Sequence, residues 1–77
     1  MAVSSSKTLD ASGLSCPLPI VKTKKEIDTM TSGQVLEIIS TDPGSKNDMI
    51  AWCNRTGNKL LDSVEEGGKF KFYVQKA

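Results

Sequence analysis

Cys16 stands between a glycine-bearing stretch, Ser12-Gly13-Leu14-Ser15, and two prolines one residue apart, Pro17 and Pro19. A cysteine does chemistry as its thiolate. With Cys16 at the N-cap of a helix, Pro17 falls at N1, where its fixed φ suits the helix. Pro19 then falls at N3, still within the turn whose donors lack helical partners. The prolines stiffen the corner and hold the cysteine at the edge of the fold. A helix N-terminus favours a negative group by ~0.3–1 kcal/mol, and one pKa unit is ~1.4 kcal/mol. The dipole therefore lowers the thiol by under one unit from ~8.5, giving ~10–15% thiolate at neutral pH. The chain has no histidine, so no Cys-His or Ser-His pair can form within it, and a hydrolase of that type is excluded. An accessible, moderate nucleophile without an internal base suits exchange and transfer, with a partner bringing the activated sulfur. The plain alternative is that a cysteine is a small buried hydrophobe. The proline frame argues against it at Cys16. At Cys53 it prevails, because Met49, Ile50 and Cys53 share a helix face that must cover a sheet.

The elements that position Cys16 follow from periodicity. Lys7 to Ala11 reads as a short strand with Leu9 inward, and Ser12-Gly13 as a turn. Pro17 to about Met30 reads as a helix with Ile20, Val21, Ile27 and Met30 on its core arc, Lys24 snorkelling at its edge, and Gly33 as its stop. Leu18, Lys22 and Lys25 lie on the opposite, wet face and form a candidate partner surface beside the thiol. Gln34 to Thr41 is β-branched and reads as a strand, followed by the Asp42-Pro43-Gly44 turn. Ser45 and Asp48 suggest a capping box opening a second helix that runs to about Thr56. Trp52 is placed away from the core face of that helix, as a further candidate for the partner surface. Lys59 to Glu66 and Lys69 to Lys76 are strands joined by Gly67-Gly68, a two-residue hairpin turn. Phe70, Phe72 and Val74 alternate with polar neighbours, marking one buried face. Right-handed crossovers put both helices on one face. The expected fold is an α/β (α+β) two-layer sandwich, βαβαββ, with a four-stranded mixed sheet.

Composition limits the rest. At 77 residues the chain is a single domain, read as a disordered tail over 1–6 and one domain over 7–77, without room for a deep cleft. A net charge of +1 and the lack of an aromatic platform argue against nucleic-acid binding. No run approaches the ~20 apolar residues of a membrane span, and residues 1–8 lack a signal-peptide pattern. The expectation is a cytoplasmic monomer with no cofactor. Two cysteines fall short of a structural zinc site, so no metal is expected. A permanent Cys16–Cys53 disulfide is not expected in a reducing cytoplasm.

"LDASGLSCPLPIV", with "MTSGQVLEIISTDPGS" after it and "FKFYVQK" near the end, resembles the TusA/SirA sulfur-carrier family from Leu9 to Lys76. The core pattern is Asp10, Gly13, Leu14, Cys16, Pro17 and Pro19. The resemblance implies sheet order 1-2-4-3 with the fourth strand antiparallel to the others. It implies that Cys16 carries sulfane sulfur as a persulfide, shaped by Gly13, Leu14, Pro17 and Pro19. The implied donors are cysteine desulfurases or rhodanese-type sulfurtransferases, and the implied acceptor is another protein serving tRNA thiolation, molybdenum cofactor or sulfur oxidation. Many relatives carry an acid where Leu18 stands, so the partner contact differs here; this version resembles carriers of sulfur-oxidising bacteria. The competing reading is a thiol-based redox or regulatory binding module.

Overall fold

The computed structural model describes residues 5–15 and 17–77. Its elements are β1 (Lys7–Ala11), α1 (Leu18–Asp28), β2 (Val35–Ser40), α2 (Ser45–Thr56), β3 (Lys59–Glu66) and β4 (Lys69–Gln75). The sheet order is β1-β2-β4-β3, with β1 and β2 parallel and β4 antiparallel to both its neighbours. The expected mixed, two-layer βαβαββ fold and strand order are therefore present.

Register explains the single core. Ile38 sits opposite Leu9 on one side and Phe72 on the other, and Leu36 sits opposite Val74. All four partners of β2 and β4 named here point to the helices, and Leu36, Ile38, Phe72 and Val74 are fully buried. Ile27 and Met30 from α1 and its exit, and Met49, Trp52 and Cys53 from α2, close over them. The hairpin turn has Gly67 at φ +58° and Gly68 at φ +80°. Two positive φ values make the type I′ geometry, whose twist matches the strands and which glycine adopts without steric cost. A register shift between Leu60 and Asp62 leaves Leu61 exposed at the edge strand. The Lys76 ammonium donates to the carbonyls of Ile27 (3.0 Å) and Met30 (2.8 Å). A cation there satisfies orphan acceptors and complements the helix dipole.

Several sequence expectations need correction. The N-cap of α1 is Pro17, not Cys16, and Pro19 is at N2 rather than N3. α1 ends at Asp28, and Gly33 is not its stop; Gly33 donates to the Lys76 carbonyl at 2.9 Å beside the start of β2. The core stripe of α1 is Pro19, Thr23 and Ile27, with Ile20 half-buried, while Val21 is exposed. Residues turn by about 100° each, which carries Val21 round to the side of Leu18 and Lys25. Thr23 is tolerated inside because its hydroxyl donates to the Pro19 carbonyl at 2.7 Å, leaving no buried polar atom unpaired. Lys24 does not border the core; it is exposed and pairs with Asp28.

In α2 the capping box is absent: Gly44 is the N-cap, without a side-chain cap, and the Ser45 hydroxyl donates to the Asp42 carbonyl at 2.7 Å. Trp52 is buried, only 6% exposed, whereas Ile50 is exposed. The arc containing Met49 and Cys53 can extend toward either residue. The indole, with the larger apolar area, takes the inner position. Trp52→Ala should accordingly lower unfolding free energy by about 3–5 kcal/mol, while Ile50→Ser should change it by about 1 kcal/mol or less. Urea titrations of both variants check this; equal losses would contradict the packing of α2.

Candidate functional site

Cys16 lies outside the described residues. Hydrogen bonds hold the segments on either side of it. β1 ends at Ala11, and the chain turns with the Ser12 N–H donating to the Asp10 carboxylate at 2.9 Å. Hydrogen bonds from Ser12, the side-chain one foremost, hold the Asp10 carboxyl below its usual range. The Gly13 N–H donates to the Thr41 hydroxyl at 2.9 Å, and the Leu14 N–H to the Ala11 carbonyl at 3.3 Å. Gly13 has φ +78°, a left-handed backbone that a side chain would strain. Leu14 is partly buried against the core. On the far side, the Leu18 N–H donates to the Ser15 carbonyl at 2.9 Å, and the Val21 N–H to Pro17 at 3.1 Å. The described residues on either side are thus held by hydrogen bonds to Thr41 and Ala11 before position 16 and by the first turn of α1 after it.

The sequence-predicted residues separate by environment. Ser15, Pro17 and Leu18 are exposed, and Leu18 carries one of the largest exposed apolar side chains. Lys22 and Lys25 are also exposed, on the same side of α1. Pro19 faces inward and is fully buried. Trp52, expected on the surface, belongs to the core; its edge reaches a groove of about 280 Å³ lined also by Pro17, Ile20, Asp48, Ala51 and Arg55. Sequence reasoning did not single out Thr41, whose hydroxyl anchors the Gly13 amide. The available signal was its place at the end of a β-branched run, directly before Asp42-Pro43. Asp48, Ala51 and Arg55 were missed as a group because the register of α2 was set on Ile50.

Cys53 is a free thiol in the core, 3% exposed. Burial pushes it up from an ordinary 9.0 to about 11, which removes it as a nucleophile near neutrality.

Residues 7–76 match the family described as sulfurtransferase TusA. The chain is 58% identical over 69 residues to the sulfur carrier protein TusA of Allochromatium vinosum, covering 90% of this chain and 91% of that one. It is 51% identical over 72 residues to YrkI of Bacillus subtilis, covering 94% and 96% of the two chains. A SirA-like protein from Desulfitobacterium hafniense has the same fold, with a TM-score of 0.78 over 90% of this chain and 95% of that one, at 20% identity.

Two outcomes follow from this geometry. The Cys53 proton is held more tightly in the folded than in the unfolded chain, so stability is complete below about pH 9 and falls as pH rises towards 11. Melting temperatures of Cys53→Ala should lose that part of the alkaline decline; an unchanged decline would contradict it. Thr41→Val removes the acceptor of the Gly13 amide while keeping the shape, and should cost about 1–2 kcal/mol. Thr41→Ser should restore the bond, and the measurement is the slowed exchange of the Gly13 amide proton.

Proposed function

The chain belongs to the sulfurtransferase TusA family of sulfur carriers, and from that premise we propose that Cys16 is the atom-bearing residue of its relay. The carrying observation is the sealing of Cys53 in the core with its thiol pushed up to about 11. Of the two cysteines in the chain, that leaves Cys16, whose neighbours Ser15, Pro17 and Leu18 are exposed.

In this reading the Cys16 thiolate attacks the terminal sulfur of a donor persulfide, R–S–SH. One sulfur–sulfur bond forms at Cys16, the donor's breaks, and the donor leaves as its thiolate; the transferred sulfur keeps its proton. The acceptor step repeats this in reverse on a second protein's thiolate. No net oxidation occurs, so no redox cofactor enters. The demand on the carrier is positional: an ionisable sulfur at a corner that another protein's sulfur can approach in line. Gly13 and Leu14 shape that corner through the Thr41 and Ala11 bonds, and Pro17 and Pro19 through the stiffened start of α1. Leu18, Lys22 and Lys25 border it and meet the partners, and Trp52 contributes only its edge. The donor is a cysteine desulfurase or a rhodanese-type protein, and the acceptor another sulfur-accepting protein. The carrier unit is residues 7–77 with 1–6 as a tail, acting in the cytoplasm as a monomer. None of the helices among the described residues is long and apolar enough to cross a membrane.

Incubation with a desulfurase and cysteine should add about 32 Da per sulfur atom, and dithiothreitol should remove it, since a persulfide is reducible and a sulfinate is not. Cys16→Ser should abolish the gain, and Cys53→Ser should keep it. Added mass that survives reduction, or that maps to Cys53, overturns the assignment in favour of a redox-sensing thiol.

A further inference from the structure

At Pro17, the residue that follows Cys16 in sequence, begins the groove between α1 and α2. Its floor is apolar, formed by Ile20, Ala51 and the edge of Trp52, and its ends are charged. β1 and β2 are parallel, so α1 and α2 both begin at the same end of the sheet. Asp48 lies in the first turn of α2 and Arg55 in its last turn. Asp48 is thus at the Pro17 end of the groove, one residue from Cys16, and Arg55 at the far end. The ion pairs among the described residues are Lys7–Glu26 and Lys24–Asp28. Neither the Asp48 carboxylate nor the Arg55 guanidinium takes part in them, or in any side-chain hydrogen bond among the described residues. The two charges stand two helical turns apart, about 10 Å, which is about three residues of extended chain. At about 280 Å³ the groove is smaller than a typical pocket for a drug-sized ligand and has room for a side chain or two.

We propose that this groove is the docking site for the cysteine-bearing segment of the protein that exchanges sulfur with Cys16, a segment with a polarity opposite to that of α2. The inference rests on Cys16 being the carrier residue and adds the chemistry of its partner. The occupant is an extended stretch in which a basic residue follows the exchanging cysteine, an apolar side chain comes next, and an acidic residue lies three positions beyond the basic one. The basic residue meets Asp48, the apolar one lies on Trp52 and Ile20, and the acid meets Arg55. Seated so, the partner's sulfur is delivered to the Pro17 end, and a segment bound in the reverse direction brings like charges together at both ends. The apolar floor supplies burial, while the two end charges set direction.

The probe is a pair of peptides of identical composition, acetyl-Cys-Lys-Leu-Ala-Glu-amide and acetyl-Cys-Glu-Leu-Ala-Lys-amide. Each is activated as its mixed disulfide with nitrothiobenzoate. The Cys16 thiolate attacks the peptide sulfur, a protein–peptide disulfide forms, and nitrothiobenzoate leaves as a coloured thiolate whose release gives the rate. The first peptide should react about five- to tenfold faster than the second at low salt, since two exposed charge contacts change sign. The preference should shrink at high salt. In Asp48→Lys/Arg55→Glu it should reverse, and in Ala51→Phe, which fills the floor, it should fall to near unity. Each comparison is the ratio of the two peptides' rates on one protein, so a change in the intrinsic reactivity of Cys16, read by iodoacetamide, cancels. Equal rates for both peptides in the native protein, or a preference that survives the charge reversal, overturn the groove. A protein that discriminates the peptides but takes up no sulfur overturns the carrier reading and leaves the groove in place.

Discussion

One face of the sheet carries the core, and both helices share it. Leu36, Ile38, Phe72 and Val74 supply the sheet's part of that face, and Ile27, Met49, Trp52 and Cys53 the helices' part. Among the described residues these form one cluster, so no second core compensates for a loss here. The same arrangement locates the chemistry. Because β1 and β2 run parallel on adjacent lines, they release the chain at the same end of the sheet. The two loops that follow must lie side by side, which allows the Gly13 amide to reach the Thr41 hydroxyl. The start of α1 is held by the strand pairing that builds the core.

Division of labour between the two cysteines follows from the same packing. Cys53 points into the shared face, where desolvation disfavours its thiolate. Cys16 sits in sequence at the junction between a turn bonded to Thr41 and a helix opened by Pro17. A thin fold whose groove holds about 280 Å³ cannot enclose a reaction between two proteins, and in a relay it need not. In the proposed relay the partner supplies the second sulfur and the remainder of the enclosure, so the carrier's contribution is a fixed corner with recognisable surroundings.

Much of this was legible in the residues. Period-two alternation in Phe70, Phe72 and Val74, the paired glycines at 67 and 68, and Gly57 after Thr56 each correspond to one backbone state, so strand β4, the hairpin and the end of α2 could be read directly. The helix phases were less legible. In α1, Pro19 and Thr23 are not residue types that signal a core, yet they are buried, because the Thr23 hydroxyl is satisfied within its own helix. In α2, Met49 and Cys53 fit two neighbouring arcs, and only the sheet beneath decides that Trp52 rather than Ile50 completes them. The Thr41 anchor and the groove were invisible for a further reason: the first joins Gly13 to a residue 28 positions away, and the second has walls from Pro17, Ile20 and α2 that meet only when the layers close.

The strand order has a consequence for how the molecule comes into being. β4, the last element in the chain, lies in the interior of the sheet between β2 and β3, and Lys76 beyond it closes the end of α1. A chain emerging from the ribosome can pair β1 with β2 early, but Leu36 and Ile38 then still lack Phe72 and Val74 beside them. Nearly the whole polypeptide must be outside the exit tunnel before a closed layer exists, and every shorter nascent length exposes an unpaired edge of β2. Closure of this fold therefore waits for the synthesis of β4, and the chain made only that far is the form most open to aggregation or to chaperones.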